Sequence, residues 1–315
     1  MSDTKHHLGR RIALAFGTGA TVLVCGVAYL NWDALWVDGW NPRSSMPTAR
    51  GSLTAARVLN RIHVIGGSVD YSGTKMLPVH EAYDPRSNTW IPKAAVPDSN
   101  VWGARCEVLS GKIYLFGGWY SGSRLTRIYD PKTDSWTDGA EIPCEFRYGH
   151  ATATARGRIY LFGGEPTAKV CVYDPKPDRW TIAAAAAPVR ATGLAAEGIG
   201  EKIYIVGSGS TLHIYDPAED TWSVGAPLPS PVHAASTAVS RHKLFVIGGS
   251  SRGMATSSVT GTAFAYDPRR DRWRTLENMP TPRYWSAAAA YSGGVHVFGG
   301  FRAGNDAVNT HERID

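Results

Sequence analysis

The chain has 315 residues, a formal net charge of +6, 34 glycines, 19 prolines and four cysteines. The charge is modest for this length. Basic residues pair only at Arg10-Arg11 and Arg269-Arg270, which excludes the dense basic stripe that nucleic-acid binding requires. Abundant glycine and proline between short apolar runs agree with an all-β chain.

The first 31 residues stand apart. Lys5, Arg10 and Arg11 precede Ile12 to Leu30, an uncharged run rich in Ala, Val, Leu and Gly, and Asp33 and Asp38 follow it. Positive charge before an apolar segment predicts one N-terminal hydrophobic helix over 1–31, with its N-terminus inside and the rest of the chain outside the cytoplasm. Arg10-Arg11-Ile12-Ala13-Leu14 resembles a twin-arginine signal but lacks its flanking residues, and Val24 before Cys25 argues against lipoprotein processing. The expectation is a retained signal anchor through Ile12–Leu30, with the remainder on the periplasmic or extracellular side. The alternative is secretion after cleavage near Ala28, at the small-x-small site Gly26-Val27-Ala28.

From about Trp40 onward the chain repeats itself, and repeats govern any reading of architecture. Six apolar runs end in glycine, at Ile62–Gly67, Ile113–Gly118, Ile159–Gly164, Ile203–Gly207, Leu244–Gly249 and Val295–Gly300. After five of them comes Tyr-Asp-Pro, starting at Tyr83, Tyr129, Tyr173, Tyr215 and Tyr266. A Trp stands seven positions after each Tyr: Trp90, Trp136, Trp180, Trp222 and Trp273. Short β-branched and aromatic runs that stop at glycine are strands. Proline presets φ at the second position of a β-turn, and Asp before it accepts the turn's own N–H groups. Tyr therefore ends a third strand, Asp-Pro turns the chain, and Trp lies on a fourth. Small-residue runs such as Ala151-Thr152-Ala153-Thr154 and Ala287 to Ala290 supply the first strand, nearest a crowded axis. A radial array of such four-stranded units is a β-propeller.

These marks resemble the kelch repeat, and the resemblance runs from roughly Trp40 to the C-terminus. It implies an all-β, six-bladed kelch-type propeller over 36–315. The sixth third-strand, at His311–Asp315, has no Trp strand after it. Prolines follow four of the tryptophans by seven positions, and counting back seven from Pro47 lands on Trp40. Residues 36–41 are therefore predicted to supply the last blade's outer strand and to close the ring against 309–314, which also protects sheet edges. Beyond the anchor, Cys106, Cys144 and Cys171 have no zinc-site spacing. Cys106 and Cys144 flank neighbouring first strands, so they either pair with each other or lie buried as small apolar residues.

In such a ring, loops joining second to third strands share one face with the starts of the inner strands. The opposite face carries only short turns. Length variation falls at 68–77, 119–124, 250–261 and 301–306, all on the first face. Uneven loops on a rigid scaffold are where binding resides. The candidate ligand-binding residues there are Arg50, Trp102, Arg147, Tyr148, Arg190, His233, Arg283 and Tyr284 at the channel mouth, with Trp119 and Arg302 in the loops. Arginines around one opening would focus positive potential on it and suit carboxylate or phosphate.

The leading reading is a binding module for a protein segment or an acidic glycan, since kelch proteins use this face for partners. The alternative is a sugar enzyme, because bacterial sialic-acid mutarotases are similar in having a kelch propeller and an export signal. For that chemistry Glu165, just after the third diglycine, is the acid/base candidate. Galactose oxidase also resembles this fold, but its copper site needs two histidines, two tyrosines and a cross-linked cysteine in a pattern this chain lacks. No phosphate-binding loop, nucleophile elbow or metal-spaced cluster occurs, so no cofactor and no metal are expected.

Overall fold

The computed structural model describes residues 39–118, 124–144, 149–163, 168–189, 191–207, 209–252 and 258–315. The N-terminal segment, including Ile12–Leu30, lies outside them. Among the described residues no helix is long and apolar enough to cross a membrane.

Strand β1 (Trp40–Pro42) comes first, and the others follow in groups of four, each an antiparallel sheet in chain order. Blade one is β2 (Thr54–Val58), β3 (Arg61–Ile65), β4 (His80–Asp84) and β5 (Thr89–Pro92). Blade two is β6 (Arg105–Leu109), β7 (Lys112–Phe116), β8 (Thr126–Asp130) and β9 (Ser135–Gly139). Blade three is β10 (Ala151–Ala155), β11 (Arg158–Phe162), β12 (Cys171–Asp174) and β13 (Arg179–Ile182). Blade four is β14 (Ala195–Ile199), β15 (Lys202–Val206), β16 (Leu212–Asp216) and β17 (Thr221–Gly225). Blade five is β18 (Ser236–Ser240), β19 (Lys243–Ile247), β20 (Ala263–Asp267) and β21 (Arg272–Thr275). Blade six is β22 (Ala287–Tyr291), β23 (Gly294–Phe298) and β24 (His311–Ile314), completed by β1.

The constant gap from Tyr to Trp follows from the hairpin register. Tyr83 faces Trp90 across the β4–β5 turn, and Tyr129, Tyr173, Tyr215 and Tyr266 face Trp136, Trp180, Trp222 and Trp273 in the same way. Each pair packs with ring centroids 4.8–5.2 Å apart. The turn Asp accepts a backbone N–H two residues on, as at Asp84 to Arg86 and Asp130 to Lys132. A second acidic or amide residue, five after each Tyr, accepts the buried phenol: Tyr129 donates to Asp134 and Tyr173 to Asp178, both at 2.6 Å, and Tyr83 to Asn88 at 2.7 Å. The same side chain accepts a backbone N–H of the preceding blade, Ala94 for Asp134 and Ala140 for Asp178. The Trp indole of the same turn donates to that preceding segment too, Trp136 to the Ala94 carbonyl at 2.8 Å. One hairpin thus staples its blade to the last, and the repeat is an inter-blade clamp as well as a turn.

The ring closes as expected: Trp40, Asn41 and Pro42 pair with Ile314, Arg313 and Glu312, and the Trp40 indole donates to Glu277 O at 2.8 Å. Residues 36–38 of the expected strand fall outside the described residues. The cysteines correct the sequence reading. Cys144 is bonded to Cys171, with Cα atoms 6.6 Å apart, and ties the connection out of blade two to β12. Cys106 is a buried free thiol beside Thr54.

Blades one and six share a buried polar chain. Arg50 and Arg283 are fully buried just before their inner strands, and each is ion-paired with a glutamate, Arg50 to Glu81 at 2.6 Å and Arg283 to Glu312. Thr48 and Thr281 donate to the same glutamates at 3.1 and 2.9 Å. Beside each glutamate a histidine pairs with a second across the sheet, His80 with His63 and His311 with His296, both at 2.8 Å. Burial pushes His63, His80, His296 and His311 down to about 3, 4, 2 and 3, so all four are neutral.

Candidate functional site

The inner strands begin on the face that carries the uneven loops. Backbone bridges join Gly51 to Ser68, His233 to Ser250 and Tyr284 to Phe301, so the long loops of blades one, five and six grow directly from the starts of the inner strands. A belt of backbone hydrogen bonds passes from blade to blade here: Gly103 N to Ser52 O, Ser52 N to Trp285 O, Trp285 N to Ala234 O, and Ala234 N to Gly193 O, all 2.8–3.1 Å. The belt residues have left-handed backbone angles. Blades two, three and four supply glycine there (Gly103, Gly149, Gly193), but blade six places Trp285 at φ 50°. A bulky aromatic in this region is strained. Its indole Nε1–H is buried with no partner among the described residues, and its ring lies 5.9 Å from that of Trp102.

Inside the belt lies a cavity of about 80 Å³, lined by the first turns of the inner strands from five blades and by Thr152 of the sixth. Its walls are alanines (Ala55, Ala195, Ala196, Ala287) and hydroxyls (Thr54, Thr152, Ser236, Thr237, Ser286), and it contains three ionisable groups that the sequence reading did not select as a set: Arg105, Glu107 and Glu197. The Arg105 guanidinium carbon sits 5.6 Å over the Trp285 ring. No described carboxylate pairs with it. Burial lowers Arg105 to about 10, so it remains a cation at neutral pH. Glu107, two residues further along β6, accepts hydrogen bonds from Thr152 and Thr154, both 2.9 Å. Glu197 accepts from Thr237 at 3.1 Å. Shut away from bulk water, Glu107 is pushed up to about 7. Glu197 is raised to about 8 by the same burial and by the neighbouring Glu107. Burial also pushes the Cys106 thiol up to about 12, which leaves it unreactive as a nucleophile.

The predicted site residues divide sharply. Arg147, Tyr148, Arg190, Trp119 and Glu165 lie outside the described residues. Arg50 and Arg283 correct the picture of cations facing the opening, because both are fully buried and neutralised by Glu81 and Glu312. Trp102 and Tyr284 are buried too, with Tyr284 donating to Asn305 of the blade-six loop. His233 is half-buried, and Arg302 is exposed on that loop. Arg105 was missed because it starts the inner strand itself rather than preceding it. One signal was legible: Arg105, Glu107 and Glu197 interrupt inner strands that elsewhere in the ring are small and uncharged in their first three positions.

Six four-stranded blades around a shared axis, with paired glycines and a Tyr-Asp-Pro…Trp hairpin, define a kelch-type β-propeller. A family model for the KLHDC2/KLHL20/DRC7 Kelch-repeats domain matches residues 103–300. The chain belongs to the kelch-repeat family. It is similar to mouse Kelch-like protein 35, at 33% identity over 269 residues, which is 83% of this chain and 37% of that protein. It is also similar to an Arabidopsis thaliana F-box/kelch-repeat protein, at 37% identity over 84 residues, covering 26% of this chain and 21% of that protein. The chain thus spans well under half the length of these relatives. The solved structure of YjhT aligns with a TM-score of 0.69 at 18% identity, covering 85% of this chain and 95% of that one, a likeness of fold.

Proposed function

We propose that this chain is a binding propeller that docks an acidic protein segment on the uneven-loop face, with Arg105 as the anchor. The observation that carries the reading is a cation without a carboxylate partner at a hydroxyl-lined cavity, stacked on a strained Trp285. A guanidinium so placed is suited to a carboxylate, which would supply the counter-charge it lacks. Kelch-family membership supports an interaction role. The apolar run Ile12–Leu30 and the Cys144–Cys171 bond support a location outside the cytoplasm, where disulfides persist. The test is anisotropy of a fluorescein-labelled hexaglutamate peptide. R105Q should weaken binding about tenfold or more, the scale of one charge-assisted contact. Equal affinity in wild type and R105Q sinks the reading.

A second reading has its own observation. Glu107 and Glu197, both raised toward neutrality, share a cavity with Arg105. A poised acid/base beside a carboxylate anchor suits anomer exchange of a sugar acid, with Glu197 in the role first given to Glu165. Proton NMR of N-acetylneuraminate would show faster anomer exchange with wild-type protein and none with E197Q. Exchange at the uncatalysed rate with wild type removes this reading.

A further inference from the structure

The three ionisable groups of the channel form one electrostatic unit. Arg105 and Glu107 stand two apart on β6, and residues two apart in a strand project from the same face. Glu107 and Glu197 line the same small cavity and raise each other's cost of ionisation. With both carboxyls protonated the cavity carries the single positive charge of Arg105. With both ionised it carries a net negative charge, and an incoming anion meets repulsion in a site where low dielectric magnifies it. We propose that the channel takes up an anion only together with a proton, so that the carboxylate held by Arg105 and a proton held on the Glu107–Glu197 pair bind as one neutralised set. This rests on the Arg105 reading above and adds the stoichiometry of what binds.

The surroundings leave this pair as the titrating element. Arg57 of β2 is committed to the Tyr291 ring of β22 at 5.2 Å. Cys106 stays a thiol, being pushed up to about 12. Tyr114 and Tyr204, cross-strand partners of Glu107 and Glu197 on β7 and β15, are raised by burial and remain phenols. The inner strands β10 and β18 bring only the hydroxyls of Thr152, Thr154 and Thr237 to the pair. The proton comes from solvent and resides on a glutamate oxygen. No bond of the ligand is made or broken.

Linkage fixes the sign. Whatever favours the protonated pair favours the anion, so affinity is greatest at low pH and falls as the pH rises through the range in which the empty site loses its protons. The probe is acetate, read by the guanidinium ¹³Cζ resonance of Arg105, assigned by its loss in R105Q. Between about pH 6 and about pH 9 the acetate Kd should rise about tenfold or more in wild type, one proton's worth of linkage per pH unit at the limit. It should change less than about twofold in E107Q/E197Q, where no channel carboxyl remains to titrate. Should the double variant fail to fold, E197Q alone, which disturbs only the Thr237 contact, should still flatten the profile. A wild-type Kd independent of pH, with acetate still shifting Arg105, overturns proton coupling and leaves the anchor reading standing. Acetate that never shifts Arg105 removes the anchor reading and this inference with it.

Discussion

Two sets of arginines, both withdrawn from bulk water, differ in one respect. In blades one and six, Arg50 and Arg283 each meet a glutamate and several backbone carbonyls, and the histidine pairs beside them are neutral. In the channel, Arg105 meets an aromatic face and a cavity, while the nearest glutamates are held toward their protonated form. A buried arginine with its counter-charge is part of the framework. One whose charge is left uncompensated is stabilised only when something else arrives.

The largest expected effect lies in acid, on the blade side of this contrast. His63, His80, His296 and His311 have folded values far below the ordinary 6.5, so the unfolded chain takes up protons first. Stability is full above about pH 6.5 and is lost as the pH falls toward the folded values, by up to about 1.4 kcal/mol per pH unit for each histidine. The channel glutamates act in the opposite sense. Their folded values are raised, so their contribution is full below about pH 4.5 and fades as the pH rises through about 7 and 8. Urea midpoints measured against pH should climb steeply to near neutrality and then decline gently, and E107Q/E197Q should remove the decline. A flat acid limb would break the comparison.

Next in size, E81A should cost about 3–5 kcal/mol in urea unfolding by leaving Arg50 buried and unpaired. Deleting the chain through Trp40 should cost about 2–3 kcal/mol, since it removes ladder hydrogen bonds of blade six and the indole bond to Glu277. A truncated protein that melts like its parent would show that β1 does not hold the ring. Smallest is R105Q, expected within about 1 kcal/mol of wild type, because no framework contact is lost with the charge. A cost like that of E81A would place Arg105 in the framework and erase the distinction.

Much of the architecture was legible because it is written in local, repeated chemistry. Asp-Pro sets a turn, the turn sets the register, and the register puts Tyr opposite Trp. Closure at Trp40 could be counted along the chain. The cross-blade role of Asp134 and its equivalents was present in the same motif but visible only once neighbouring blades lay side by side. The site was less legible. Arg50 and Arg283 precede inner strands as a mouth residue should, yet their glutamate partners lie 31 and 29 residues away, beyond any pattern of spacing. Cys144 and Cys171 likewise meet only through blade packing.

By itself the sequence determined the all-β repeat, the number of blades and the residues that join the ends of the ring, because each depends on neighbours within one hairpin or on a fixed period. The tertiary structure decided which charges are spent on the framework and which face a cavity. Compensation of a buried charge is a matter of a few ångströms in space, and strands from different blades, far apart in the chain, supply both the group and its partner.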